Sequence, residues 1–469
     1  MKKNGKRYRK IQKQKELKKQ LFVDNNIDQE VEGIKIANLS MSQIVSKNPI
    51  IFDSVYIKRE YLNRLKQYLK IGGWIRRKYE KSEIEAYERI LFSSDEVREE
   101  HTIDFYQHYI IFDLIHILSY ETNKISSEKL NAVKLQYICD FENGSSENFK
   151  KIINSVQGDE RKLSNLIKSE NFAYEKLYIE FIRKNIVFRK QKPFEVMVTA
   201  TMSAGKSTFI NSLIGKYICL SQNMACTSKI HSIINKAFED GYSTEYDHDL
   251  VMTAGKEELL NDNEKNLSDM IYVATYFKGN LANLRIVVND SPGVNFSGDK
   301  EHREIANRLI KRRNYGLIVY VMNSTQLGTN DEDEHLDFVK YKIGRTPIIF
   351  VMNKVDSFNP EEEDILGIID RQKEYLKKKG FKNLIVCPIS ARAGYLAKRF
   401  EQAGLSRSEE REMYNYIDKF EQMKLENYYE NVLKLEKIND SNKEETQLLK
   451  TCGLSYLEKV IANYIQGGN

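Results

Sequence analysis

Four short segments carry residue types able to hold a nucleoside triphosphate. The first reads Ala-Thr-Met-Ser-Ala-Gly-Lys-Ser over 200–207. In a loop of this kind successive backbone N–H groups surround phosphate oxygens, and the N-terminus of a following helix adds positive potential. Lys206 is placed to reach the β- and γ-phosphates, and the Ser207 hydroxyl to ligate Mg²⁺. Ser203, Ala204, Gly205 and Thr208 complete the nucleotide-binding stretch, with Gly205 letting the backbone approach closely. Ala200 stands where the usual phosphate-loop pattern has its first glycine.

The second segment is Asp290-Ser-Pro-Gly293, closing an apolar run 84 residues after Lys206. A carboxylate there can hold a water bound to Mg²⁺, and the Gly293 N–H can face the γ-phosphate. The third, Asn353-Lys-Val-Asp356, gives base selectivity. The Asp356 carboxylate can accept from N1–H and the N2 amino group of guanine. Adenine offers neither donor and would strand the acceptor, at a cost of roughly 1–3 kcal/mol or more. The Lys354 stem can lie along the base face, and Asn353 can tie this loop to the phosphate loop. The fourth, Ile389-Ser390-Ala391, offers the Ala391 N–H to guanine O6. Thr227 is the first choice for a switch threonine that ligates Mg²⁺ and senses the γ-phosphate, with Ser221 and Ser228 as neighbouring alternatives. The metal set is then Ser207, Thr227 and Asp290, with GTP as substrate and GDP as product.

These segments need strands that end where the chemistry begins. Short β-branched runs at 195–201, 229–236, 271–277, 285–289, 317–322, 348–352 and 384–389 alternate with amphipathic stretches. Such alternation predicts a mostly parallel sheet with helices on both faces. Ligands of such sheets sit beyond the carboxyl ends of the strands, where all four segments fall. Before residue 190 the pattern is different. Pro49 is the only proline ahead of Pro193, and apolar residues step by three or four, as at Ile57, Tyr61, Leu62, Leu65 and Leu69. A second such series runs through Tyr174, Leu177, Tyr178, Phe181 and Ile182. The expected fold is α/β, a P-loop GTPase domain preceded by an α-helical bundle of four to six helices.

The net charge of +6 is unevenly placed, because residues 1–20 hold ten Lys or Arg against the single Glu16. A basic arm on a slightly acidic body points to a solvated terminus before it points to nucleic acid or anionic lipid. The five cysteines lack paired or metal-ligand spacing, which predicts reduced thiols in a cytoplasmic protein. No signal peptide or membrane-spanning run is visible.

The stretch 201–215, Thr-Met-Ser-Ala-Gly-Lys-Ser-Thr-Phe-Ile-Asn-Ser-Leu-Ile-Gly, resembles the phosphate loop of the bacterial dynamin-like GTPases. Asn223-Met-Ala-Cys-Thr-Ser-Lys-Ile resembles their first switch, and Ile389-Ser-Ala-Arg-Ala-Gly-Tyr-Leu-Ala-Lys a further segment of some members. The resemblance covers about 194–398, with 453–466 similar to the helix that closes the GTPase domain. Composition and spacing divide the chain into a basic arm at 1–30, a helical bundle at 31–190 and a GTPase domain at 191–469, and the resemblance implies a helical insertion at 400–450 within that domain. It also implies hydrolysis by GTPase-domain dimers, with Ser203, Lys206 and Thr227 as catalytic residues and a monovalent cation in place of an arginine finger. Met202 occupies a position where relatives carry a polar, water-positioning side chain, which implies slow hydrolysis. Relatives that remodel membranes add a stalk and a lipid-binding tip. Neither is visible here, so a membrane role at an anionic surface calls for a separate partner chain. The competing expectations are a nucleic-acid-associated regulatory GTPase and a slowly hydrolysing GTP-dependent scaffold.

Overall fold

The computed structural model describes residues 40–73, 78–98, 100–118, 126–141, 144–156, 160–201, 203–219, 230–246, 250–251, 253, 270–290, 315–343 and 346–467. The basic arm, Met202, Ser221, Thr227, Ser228 and Gly293 lie outside the described residues. The chain divides into two compact units between Glu175 and Lys176.

The first unit is helical. Its helices are α1 (Ser40–Val45), α2 (Val55–Ile71), α3 (Lys78–Leu91), α4 (Gln107–Leu118), α5 (Ser127–Asp140), α6 (Ser146–Val156) and α7 (Glu160–Ile167). Ser54 caps α2 by accepting from the Ile57 N–H, and the apolar stripe read from sequence is buried at Tyr61, Leu62, Leu65 and Leu69. The core also holds a carboxylate. Asp113 of α4 accepts from the Tyr61 hydroxyl at 2.7 Å, the Asn48 amide at 3.2 Å and the Tyr87 hydroxyl. A buried carboxylate without donors would cost several kcal/mol, so these three partners fix α2, α3 and α4 against one another.

The second unit opens with α8 (Lys176–Lys190), a helix that the sequence pattern groups with the bundle. Tyr178 and Ile182 are buried as their spacing predicts, but Leu177 is 66% exposed. The strands are β1 (Phe194–Ala200), β2 (Ile230–Asn235), β3 (Thr244–Tyr246), β4 (Leu250–Val251), β5 (Met270–Thr275), β6 (Ile286–Asp290), β7 (Leu317–Asn323), β8 (Ile348–Asn353) and β9 (Ile385–Pro388). They form one sheet in the order β4-β3-β5-β2-β6-β1-β7-β8-β9. β6, β1, β7, β8 and β9 run parallel; β2 is antiparallel to β6, and β3 is antiparallel to β5 and β4. All seven expected strands are present. β7 is buried along its whole length, as a strand covered on both faces must be.

The helices of this unit are α9 (Lys206–Ile214), α10 (Asn330–Ile343), α11 (Ile365–Lys378), α12 (Ala391–Ala403), α13 (Arg407–Met423), α14 (Leu425–Asn431), α15 (Glu444–Thr451) and α16 (Leu454–Ile465). The last four share the apolar core of the sheet through Met413, Phe420, Tyr428, Tyr429, Leu448 and Leu457. They also close an edge. β9 ends the sheet, and a strand there leaves backbone groups without a ladder partner. The Tyr428 hydroxyl donates to the Val386 carbonyl at 2.8 Å and the Tyr429 hydroxyl to the Pro388 carbonyl at 2.7 Å.

Candidate functional site

The parallel strands β6, β1, β8 and β9 bring the four segments to one edge of the sheet. The loop after β1 holds Ser203 and Gly205 at φ of +60° and +83°, and α9 starts at Lys206. These turns let the loop wrap around a ligand and aim the first N–H groups of α9 at it. Ser203 is exposed, while Lys206, Ser207 and Thr208 are half-buried.

Asn353, the last residue of β8, fixes the phosphate loop to the loop after β9. Its Nδ2 donates to the Ala204 carbonyl at 2.9 Å, and its Oδ1 accepts from the Ala391 N–H at 3.0 Å. The tie expected between Asn353 and the phosphate loop is therefore present. The Ala391 N–H differs from expectation. It is spent on Asn353 instead of standing open to a base oxygen, because Ala391 is fully buried behind that amide. The Ser390 N–H likewise donates to the Cys452 carbonyl at 3.1 Å, and its hydroxyl accepts from the Ala393 N–H at 3.2 Å to cap α12. Lys354 turns through φ +66°, which sends the chain back towards Asp356. A Cβ added at Gly205 would lie 2.5 Å from Asn353 Nδ2 and 3.8 Å from Lys354 Cε, so these loops are in direct contact.

Lys206 and Asp290 come together from the first and second segments as an ion pair between their ammonium and carboxylate. Asp290 is 2% exposed. Beside them the Cys219 thiol is pushed far up by burial and by the Asp290 carboxylate. A hydroxyl at Ser207 and a carboxylate at Asp290 are hard oxygen donors, the set that suits Mg²⁺. Among the described residues no cluster of three or more His, Cys, Asp or Glu could hold a metal ion.

Two contributors escaped the sequence reading. Asn211, on the buried side of α9, donates to the Cys219 carbonyl at 2.8 Å and accepts from the Ile218 and Cys219 N–H groups at 2.9 and 2.7 Å. It sets the course of the chain leaving α9 toward residue 220. The available signal was an amide set among the apolar residues of 209–214. His335 of α10 is the other. Its Nε2 lies 3.0 Å from the hydroxyl of Thr199, one residue before the phosphate-loop segment, and burial pushes its pKa down to about 4.

Residues 196–355 match the sequence model of the dynamin family. This segment is similar to the dynamin family. The match begins on β1 and ends at Val355, so it takes in the phosphate-loop, Asp290 and Asn353 segments. The dynamin-family domain is a GTPase domain of the α/β class, preceded by a helical region. A protein of uncharacterized function from Methanocaldococcus jannaschii is 27% identical, over 38% of this chain and 96% of its own. Among solved structures, an oligomerised bacterial dynamin pair linked to long-range sensing and tethering of membranes is 16% identical, with a TM-score of 0.36. That alignment covers 88% of this chain, which spans 62% of the bacterial dynamin. Toc33 from Arabidopsis thaliana, solved with Mg²⁺ and GMPPNP, is 13% identical over 61% of this chain and 93% of its own, with a TM-score of 0.32.

Proposed function

We propose that this chain binds GTP and hydrolyses it to GDP and phosphate, coupling the cycle to association of its GTPase domains. The observation that carries the reading is Asn353, whose one amide joins the phosphate loop to the loop after β9 while Asp356 follows three residues on. That arrangement ties recognition of a guanine edge to the cradle for its phosphates.

In this reading the N–H groups of 203–208 hold phosphate oxygens, and Lys206 exchanges Asp290 for the β- and γ-phosphates. Ser207, Asp290 and Thr227 would hold Mg²⁺, which would supply positive charge to offset that developing on the phosphate oxygens. Lys354 lies along the base and Asp356 accepts from its N1–H and N2 amino group. Ser203, exposed on a left-handed turn, helps to orient the attacking water. Gly293 reports the presence of the γ-phosphate. Domain pairing with a monovalent cation would complete the water-positioning set, and a partner chain supplying a stalk would carry the cycle to an anionic membrane. Among the described residues no helix is long and apolar enough to cross a membrane.

Phosphate release from GTP, measured per molecule across a hundredfold range of protein concentration, tests the proposal. Turnover per molecule should rise with concentration in the wild type and vanish in Lys206→Ala. No phosphate release by the wild type at any concentration would overturn hydrolysis. Concentration-independent turnover by a monomer would overturn the coupling to association.

A further inference from the structure

Helix α13 stands outside the segment that matches the dynamin family, yet one of its faces reaches both loops of the base side. Glu412, Tyr416 and Lys419 follow at the i, i+4, i+7 spacing that places side chains on one face of a helix. Lys419 Nζ donates to the backbone carbonyl of Asp356 at 2.6 Å. Glu412 takes both hydrogen bonds of the Arg392 guanidinium, at 2.9 and 2.7 Å, and Arg392 directly follows Ala391. The Tyr416 hydroxyl donates to the same Glu412 carboxylate at 3.1 Å and so fixes its direction. The helix itself is firmly placed. Ser406 and Glu409 form a complete capping box at its start, and Met413 and Phe420 are buried in the core on its other side.

We infer that α13 is a clamp on the guanine-recognition turn, with Lys419 as the positioning residue that holds the main chain of Asp356 and Glu412 as the residue that anchors the helix to Arg392 at the start of α12. The inference rests on the reading of Asp356 as the guanine acceptor. The clamp acts on geometry alone. Asp356 must meet two donors on one edge of the base, and a shift of a few tenths of an ångström weakens both bonds together. Lys419 prevents that shift from behind, by holding the main chain of Asp356 while its carboxylate stays free to face the ligand. The Arg392–Glu412 pair holds α13 itself in place against the first turn of α12. Its hydrogen bonds are charge-assisted and bidentate, the geometry that fixes orientation best. Hydrogen bonding to Arg392 holds the Glu412 carboxyl below its ordinary value, so the pair stays ionised at neutral pH.

The test compares GTP with ITP, which lacks the N2 amino group, by equilibrium binding to the full chain. Wild type should prefer GTP. Lys419→Met should weaken GTP by about tenfold and ITP by about threefold, because GTP has two bonds to Asp356 to misalign and ITP only the one from N1–H. Lys419→Arg should restore the preference. Arg392→Glu and Glu412→Arg should each lower it, and the two together should recover it. Glu412→Gln, which keeps the volume, guards against a misfolded variant when thermal unfolding is followed alongside. Folded single variants that retain the wild-type GTP-to-ITP ratio would overturn the clamp alone. A wild type that holds GTP and ATP equally would overturn the guanine reading, and the clamp with it.

Discussion

Lys398 and Glu458 form an ion pair in which both side chains are only 2% exposed to solvent. The Lys398 ammonium also donates to the Leu213 carbonyl at 2.8 Å and the Lys278 carbonyl at 3.0 Å. Glu458 in turn accepts from the Asn280 N–H at 3.0 Å. The pair thus fastens α12 to α16 and to the carboxyl end of α9, the helix whose other end carries Lys206. Removing one partner leaves the other charge buried and unpaired, which costs about 3–5 kcal/mol. Lys398→Met should lower the urea midpoint accordingly, and Lys398→Met with Glu458→Leu should recover most of the loss. A single variant as stable as the wild type would contradict this role.

Asn353→Ala removes both hydrogen bonds that join the phosphate loop to the loop after β9. At roughly 1 kcal/mol for each bond, GTP affinity should fall by about thirtyfold. Asp356→Asn should act differently. It turns an acceptor into a mixed donor and acceptor, so preference should move from GTP to XTP while phosphate binding persists. Isothermal titration with both nucleotides separates the two effects.

His335 makes stability depend on pH. Its folded pKa of about 4 lies below the ordinary 6.5, so the unfolded chain binds more protons between those values. Its contribution is therefore complete above pH 6.5 and is lost as pH falls toward 4, by up to about 3 kcal/mol. The melting temperature should drop through that window, and His335→Gln should flatten the drop. An unchanged slope in the variant would count against the buried imidazole as its source.

The two tyrosines at the β9 edge predict another cost. Tyr428→Phe and Tyr429→Phe each strand a strand carbonyl without changing the apolar core. Each should cost about 1–3 kcal/mol in denaturant unfolding, and the double variant about the sum if the carbonyls stay dry.

Much of the sheet was legible in the sequence because its buried strands are continuous apolar runs bounded by turn residues. Val196 to Ala200, Leu317 to Met322 and Ile349 to Met352 have no other stable place. β3 and β4 escaped, since they are three and two residues long and the former is Thr-Glu-Tyr, with Glu245 buried. The motif residues were legible because phosphate and guanine demand particular atoms at particular spacings. Their supports were not. Glu412, Tyr416 and Lys419 read as one more charged, solvated helix face, and nothing local tells that Lys419 meets a carbonyl 63 positions earlier. Ala391 shows the same limit: its N–H is a fitting donor in sequence, but only the packed structure reveals that Asn353 already holds it.

The contact between Gly205 and Asn353 has a consequence for how this site could change over generations. Any side chain at 205 would collide with the amide at 353, and φ of +83° would strain it further. A smaller residue at 353 relieves the collision but gives up the bridge to Ala204 and Ala391. Neither position can therefore vary first without loss, so neutral drift is blocked at both. A change at either position therefore loosens the joint between the phosphate loop and the end of β8.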